Sequence, residues 1–135
     1  MALTCLDTSI AISLIAGRDH IVGERFRAAL PQGIVLPSTA LFELWFGVAN
    51  SEQKKQNEKR LNAFLLGPIQ IVPFGPDDAR EAGEIRSQLK RAGTPIGPYD
   101  LLIAAQARWR GATLATLNAR EFARVPTLAV DDWSS

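Results

Sequence analysis

The chain opens "MALTCLDTSIAISLIAG", Met1 to Gly17, a strand-then-helix pattern around a single acid. "ALTCL" reads as a short buried strand with Asp7 at its C-terminal end. "IAISLIAG" reads as a helix that Thr8 or Ser9 can cap and Gly17 can end. The whole opening carries one charge, Asp7, and no base to pair with it.

Beyond Gly17, strands and helices keep alternating. "DHIVGERFRAAL" is expected to be a helix closed by Pro31, and "GIVLP" (33–37) a second strand. Ser38 or Thr39 then caps "ALFELWFGVAN", where Leu41, Leu44, Trp45 and Val48 share one helix face at i, i+3, i+4, i+7. "SEQKKQNEKRLNAFLLG" continues as a polar-faced helix. "IQIVPF" (69–74) is a third strand and "DDAREAGEIRSQLKRAG" an amphipathic helix with Gly93 past its end. "IGPYDLLIAAQARWRG" is another helix that stops at Gly111. "ATLAT" (112–116) is a fourth strand, "NAREF" a short turn or helix, and "LAV" (128–130) a last strand. This alternation implies an α/β fold with a parallel sheet covered on both faces. Sites in such sheets form at the C-terminal ends of strands.

Composition narrows the class. At 135 residues, with 47% apolar and 21% charged, the chain suits one globular domain spanning 1–135. A net charge of +1 does not by itself mark a nucleic-acid binder. The single cysteine, Cys5, excludes an internal disulfide and a cysteine-based zinc site, and reads as a small buried hydrophobe. No apolar run approaches the ~18 residues of a membrane span. The N-terminus has no basic region before its apolar run, so the cytoplasm is the expected location.

Two further segments repeat the opening's pattern. "GIVLPSTALFELWFGVANS" has one charge, Glu43, and "AGTPIGPYDLLIAAQA" has one, Asp100. Asp7 ends a strand, Glu43 lies about a turn into a helix, and Asp100 lies in the first turn of another. Singly, Asp7 suits a helix cap and Asp100 a helix dipole. Glu43 is harder to place, because its helix is apolar on nearly every side and an unpaired buried carboxylate costs several kcal/mol, roughly, or takes up a proton. Together the three suggest a shared cation, since a hard divalent ion reverses the repulsion between carboxylates. Oxygen ligands without Cys or His point to Mg²⁺ or Mn²⁺. His20, beside Asp19, fits a surface or capping role. Thr116 ends the fourth strand, Asn118 offers an amide oxygen, and Glu121 is a nearby acid whose other reading is a salt bridge to Arg120 or Arg124.

In this order and spacing the segments resemble the PIN-domain ribonucleases, and among them the VapC-type toxins of toxin–antitoxin pairs. "LDTSIAISLI" is similar to the family's opening Asp-Thr-Asn segment, with Ser9 in place of Asn. "STALFELWFGV" resembles the helix of the second acid, and "IGPYDLLIAAQA" that of the third. "TLATLNAREFARVPTLAVDDW" resembles the closing segment, where the family often has Asp at the position of Asn118 or an acid a few residues later. The resemblance implies a three-layer PIN-like sandwich, a central and mainly parallel sheet flanked by helices. It implies Mg²⁺-dependent RNA hydrolysis, with Asp7 and Asp100 holding the ion and Glu43 binding or orienting a water. Asn118 or Glu121 would complete the ligand set, and Thr8, Ser9 and Thr116 would hydrogen-bond the carboxylates.

The same resemblance implies partners: RNA, with transfer RNA one class among others, a second copy of the toxin, and a VapB-like antitoxin with a DNA-binding N-terminal part. Leu41, Leu44, Trp45 and Val48 are the expected antitoxin-binding residues, because their helix offers more apolar surface than one core-facing stripe needs. Lys54, Lys55, Lys59, Arg60, Arg86, Lys90, Arg91, Arg108 and Arg110 are the cations available to phosphate, against the ordinary role of solvating a helix face. Two other functions compete: a non-catalytic PIN-like binding or scaffold module, and a metal-dependent phosphatase acting on small substrates.

Overall fold

The computed structural model describes residues 3–135, so Ala2, read above as part of the first strand, lies outside the described residues. Five strands form one sheet: β1 (Thr4–Leu6), β2 (Ile34–Pro37), β3 (Gln70–Val72), β4 (Thr113–Thr116) and β5 (Val130–Asp132). Their order is β3-β2-β1-β4-β5, and every pairing is parallel. Parallel neighbours need crossovers, and the helices supply them: α1 (Thr8–Ala16), α2 (His20–Ala29), α3 (Ser38–Ala49), α4 (Lys54–Leu65), α5 (Pro76–Ala92), α6 (Pro98–Trp109) and the short α7 (Ala119–Phe122).

Helices cover both faces of this sheet, and the burial of its central strands shows why. Successive strand residues point to opposite faces, yet Cys5 and Leu6 are both fully buried, as are Ile34, Val35 and Leu36 in turn. The unbroken apolar runs of β1 and β2 therefore belong to a two-sided core. Cys5 is the small buried hydrophobe expected, and burial pushes its thiol pKa upward, leaving it inert. Gly33 enters β2 at φ 97°, where a Cβ would come within 2.9 Å of Leu3 Cδ2. The positive φ is what favours glycine here, since the end of the Leu3 side chain can move aside.

Several boundaries differ from the sequence reading. Asp7, rather than Thr8 or Ser9, caps α1; Thr8 and Ser9 already lie within the helix. Ser38 and Thr39 likewise fall inside α3, which follows directly from an extended Pro37 without a side-chain cap. A 3₁₀ turn, Leu30–Gln32, carries the chain through Pro31 after α2. The last strand sits two residues later than "LAV", at Val130–Asp132. Its two acids break the apolar pattern, but an edge strand tolerates charge. The register is held by Trp133, 1% exposed, whose N–H donates to Thr116 O at 3.0 Å.

Candidate active site

The C-terminal ends of β1 and β4 lie side by side, and two side chains meet there. Asp7 leaves β1 and caps α1, its Oδ1 accepting from the Ile10 N–H at 3.0 Å and the Ser9 hydroxyl at 2.6 Å. Thr116, the last residue of β4, donates to Asp7 Oδ2 at 2.5 Å. The Thr116 hydroxyl in turn accepts the Asn118 N–H at 2.8 Å. Burial raises the Asp7 pKa, and the hydrogen bonds from Ser9, Thr116 and Ile10 oppose that rise. The carboxylate is thus buried, satisfied and fixed in orientation. The cap and the site geometry coexist in one residue.

Glu43 reaches the same edge from the second turn of α3. It is half-buried, and its Oε1 accepts the Thr8 hydroxyl at 2.6 Å. The expected partnerless buried carboxylate therefore has a partner and a solvent side. Thr8 comes from the helix that Asp7 caps, so one turn of chain orients both acids.

Asp100 enters from the first turn of α6 and is half-buried. Its carboxyl is pushed up to about 7, first by burial, then by the neighbouring Glu121 carboxylate, then by Glu43 and Asp7. Glu121 belongs to this cluster rather than to a salt bridge with Arg120 or Arg124. Its Oε1 accepts the Gly97 N–H at 2.9 Å and its Oε2 the Asn118 side-chain amide at 2.6 Å. Asn118 here acts as a donor that holds Glu121. Sequence reasoning misses Gly97, yet its N–H anchors Glu121, and a Cβ there would stand 3.3 Å from Asp100 Oδ2. The "IGP" just before the acidic turn is the only local sign of that tight approach.

Four carboxylates thus gather at one sheet edge without a cationic side chain among their hydrogen-bond partners. Among the described residues, no three acidic, cysteine or histidine side chains stand close enough as placed to ligate one ion. The donor chemistry nonetheless fits a hard cation: all oxygen, anionic, and mutually repelling enough to raise Asp100.

Beside Glu43 lies an apolar groove of about 270 Å³ between α1, α3 and α4, lined by Ile12, Ile15, Leu44, Val48 and Leu61, with Arg60 at its rim. Of the four residues expected to bind a partner, Leu44 and Val48 line this groove, whereas Leu41 and Trp45 pack against the core. Phe42 and Tyr99 pair edge to face with centroids 5.2 Å apart, linking α3 to α6 next to the acids. Two of the expected RNA-facing cations are instead internal. Arg108 Nε pairs with Glu81 at 2.7 Å, and Arg110 is held by Asp78 and by the Pro73 and Gln106 carbonyls. Gln106, fully buried and unremarked in the sequence, donates to Ser38 Oγ and the Val72 and Pro73 carbonyls, tying α6 to the ends of β2 and β3. His20 is exposed at the start of α2, where Asp19 is the cap.

A parallel five-stranded sheet in this order, with acids from β1, α3 and α6 at one edge, agrees with a family match: the PIN domain profile covers residues 4–128. The chain belongs to the PIN domain family. Within it the chain groups with the VapC ribonucleases. It is 38% identical over 130 residues to the tRNA(fMet)-specific endonuclease VapC of Shigella flexneri, covering 96% of each chain. It is 36% identical over 129 residues to Ribonuclease VapC2 of Rickettsia felis, covering 95% of this chain and 96% of that one. Among solved structures it superposes on the Rickettsia felis VapBC2 complex bound to a DNA fragment from its promoter, with a TM-score of 0.92, 33% identity and coverage of 98% and 99%.

Proposed function

We propose that this chain, as a single PIN domain spanning 1–135, is the endoribonuclease toxin of a toxin–antitoxin pair. The observation that carries this reading is the convergence of Asp7, Glu43, Asp100 and Glu121 at the C-terminal edge of a parallel sheet. Asp7, locked by three donors, and Asp100 would hold Mg²⁺ or Mn²⁺, with Glu121 as the further acid and Asn118 keeping Glu121 in place. Such an ion supplies Lewis acidity to the phosphoryl oxygen and acidifies water. Glu43, oriented by Thr8, positions the attacking water and takes up its proton. Water oxygen bonds to phosphorus, the ester oxygen leaves, and that oxygen gains a proton. Thr8, Ser9 and Thr116 act by fixing the carboxylates rather than by touching RNA. Two relatives carry the printed names of a tRNA(fMet)-specific endonuclease and a ribonuclease, which makes transfer RNA the first substrate to try.

The groove along α1, α3 and α4 suits the apolar face of an antitoxin helix. Glu43 forms part of its lining, so a basic residue on such a segment would reach the acids and compete for the cation's place. One solved neighbour is a VapBC complex bound to promoter DNA, which supports a VapB-like, DNA-binding partner; the N-terminal place of its DNA-binding part and a homodimeric toxin are what the family resemblance implies. No helix among the described residues is long and apolar enough to cross a membrane, in keeping with a cytoplasmic site of action.

Brief expression in a bacterial host, followed by mapping of new RNA ends beside an Asp7→Ala control, tests this reading. Discrete new ends that vanish in the control support it, and identical end maps overturn it. Co-expression with the neighbouring open reading frame tests the partner. Co-purification with loss of cleavage is expected, and a neighbour that neither co-purifies nor suppresses cleavage contradicts it.

A further inference from the structure

A second and larger groove, of about 830 Å³, runs between α5 and the segment leading into α6. Leu89, Ile96 and Leu101 form its floor, and Arg86, Ser87 and Lys90 its rim. We infer that this groove is the track for the single-stranded RNA flanking the cleaved bond, and that Arg86 and Lys90 hold its phosphates. The inference rests on the RNA-cleaving reading above and adds where the strand lies.

Two observations carry it. The first is continuity with the acids: Pro98 and Leu101 line the groove, Asp100 lies between them in sequence, and Gly97, the residue before Pro98, donates to Glu121. The loop that forms one wall of the groove, Pro95 to Pro98, is thus the same loop that holds Glu121 in the acidic cluster.

The second is charge. Of the four acids in α5, Asp78 and Glu81 are held by Arg110 and Arg108, Glu84 lies 3.8 Å from Arg80, and Asp77 sits in the first turn, far along the helix from Arg86 and Lys90. Among the described residues, Arg86 and Lys90 form no ion pair, and the stretch "IRSQLKRA" (85–92) contains no acid. The helix dipole accounts for basic residues in the last turn, Lys90 and Arg91, but not for Arg86 a turn earlier. Arg86 and Lys90 are one helical turn apart on one face, a spacing of ~6 Å that suits consecutive phosphates.

The lining limits what the groove can read. None of its residues is aromatic, so the groove has no platform for stacking bases. Recognition there is by backbone charge, with aliphatic contact to ribose, and carries little sequence preference. Gly83 lies on the same wall, and a Cβ at Gly83 meets nothing within 4 Å, so the space above it is open.

The test is fluorescence anisotropy of a labelled single-stranded RNA of mixed sequence, bound to the full chain in chelator, so that the readout does not need cleavage. The double variant Arg86→Gln, Lys90→Gln is expected to weaken binding about tenfold or more at low salt. It should also lower the slope of log K against log salt by about 1.4, since a single strand contributes ~0.7 per phosphate contact. Gly83→Phe fills the groove without touching a charge and should weaken binding too, while Gly83→Ala should not. Circular dichroism and light scattering on each variant verify fold and mass. Folded variants that bind RNA as the parent does overturn the proposal. A change of mass without a change in RNA affinity also overturns it, and assigns the surface to a second copy of this chain. A parent that cleaves RNA beside variants of unchanged affinity sinks the track alone. A parent that binds RNA through Arg86 and Lys90 but never cleaves it sinks the nuclease reading and leaves the track standing.

Discussion

The Thr8 hydroxyl donates to Glu43 Oε1 at 2.6 Å, joining the first residue of α1 to the second turn of α3 across the edge of the sheet. Thr8→Val removes that donor without changing side-chain size. Glu43 then keeps its charge but loses its orientation, and cleavage should fall roughly tenfold, the scale of a lost neighbour to a metal-site acid. Thr8→Ser should restore most of the rate. A loss in the serine variant as large as in the valine variant would show that packing, rather than the hydroxyl, matters.

Asp7 has two duties that substitution separates. Asn keeps an oxygen for the Ile10 N–H, so Asp7→Asn should leave stability within about 1 kcal/mol of the parent while abolishing cleavage. Asp7→Ala loses the cap as well and should be less stable than Asp7→Asn by about 1 kcal/mol. Paired thermal melts and RNase assays check this. An Asn variant that cleaves at the parent's rate removes Asp7 from the site.

The metal-free protein should lose stability as pH rises. Asp100 is held near 7 in the fold against about 4 in the unfolded chain, and Asp7 is shifted in the same direction. A raised acid binds more protons folded than unfolded, so its contribution is fully present below about pH 4 and is lost by pH 7. Melting temperature in chelator should therefore decline between these limits. Added Mg²⁺ should reverse the decline above pH 7, where the carboxylates are ionised and bind it. Asp100→Asn should flatten the profile; an unchanged slope would mean that Asp100 is not the titrating group.

Glu121 and Asn118 touch each other but should not weigh equally. Glu121 is the foremost charged neighbour raising Asp100, so Glu121→Gln should move the acidic limb of the pH–rate profile downward as well as slow cleavage. Asn118→Ala removes a 2.6 Å hydrogen bond and no charge, and should cost less than Glu121→Gln. An unaltered rate in Glu121→Gln would return that acid to the surface.

Much of this arrangement is legible in the sequence, and particular residues show where legibility ends. Lone acids in apolar segments stand out because burial makes an isolated charge expensive, so Asp7, Glu43 and Asp100 are found by contrast with their neighbours. The parallel sheet is legible because β1 and β2 are apolar at nearly every position. β5 is not, because Asp131 and Asp132 occupy an edge, and its register rests on pairing with β4 and on the buried Trp133 just beyond it. Side-chain pairing over long separations is silent in sequence. Arg108 and Arg110 look like free cations until α6 packs on α5, and Gln106 looks like any helical polar residue until it meets Ser38 and the carbonyls of Val72 and Pro73. Asp7, Thr8 and Ser9 all read as possible caps, and the pattern alone does not say that Asp7 fills the position and leaves Thr8 and Ser9 inside the helix.

Hydrolysis of RNA at this acidic edge with a divalent cation is decided by single-turnover cleavage of folded transfer RNA by the purified chain across a Mg²⁺ titration, with Asp100→Asn and a generic phosphate ester alongside. Cleavage should rise with Mg²⁺, stop in chelator, disappear in Asp100→Asn, and leave the small ester intact. Cleavage that persists in Asp100→Asn, or hydrolysis of the ester in place of RNA, would contradict it.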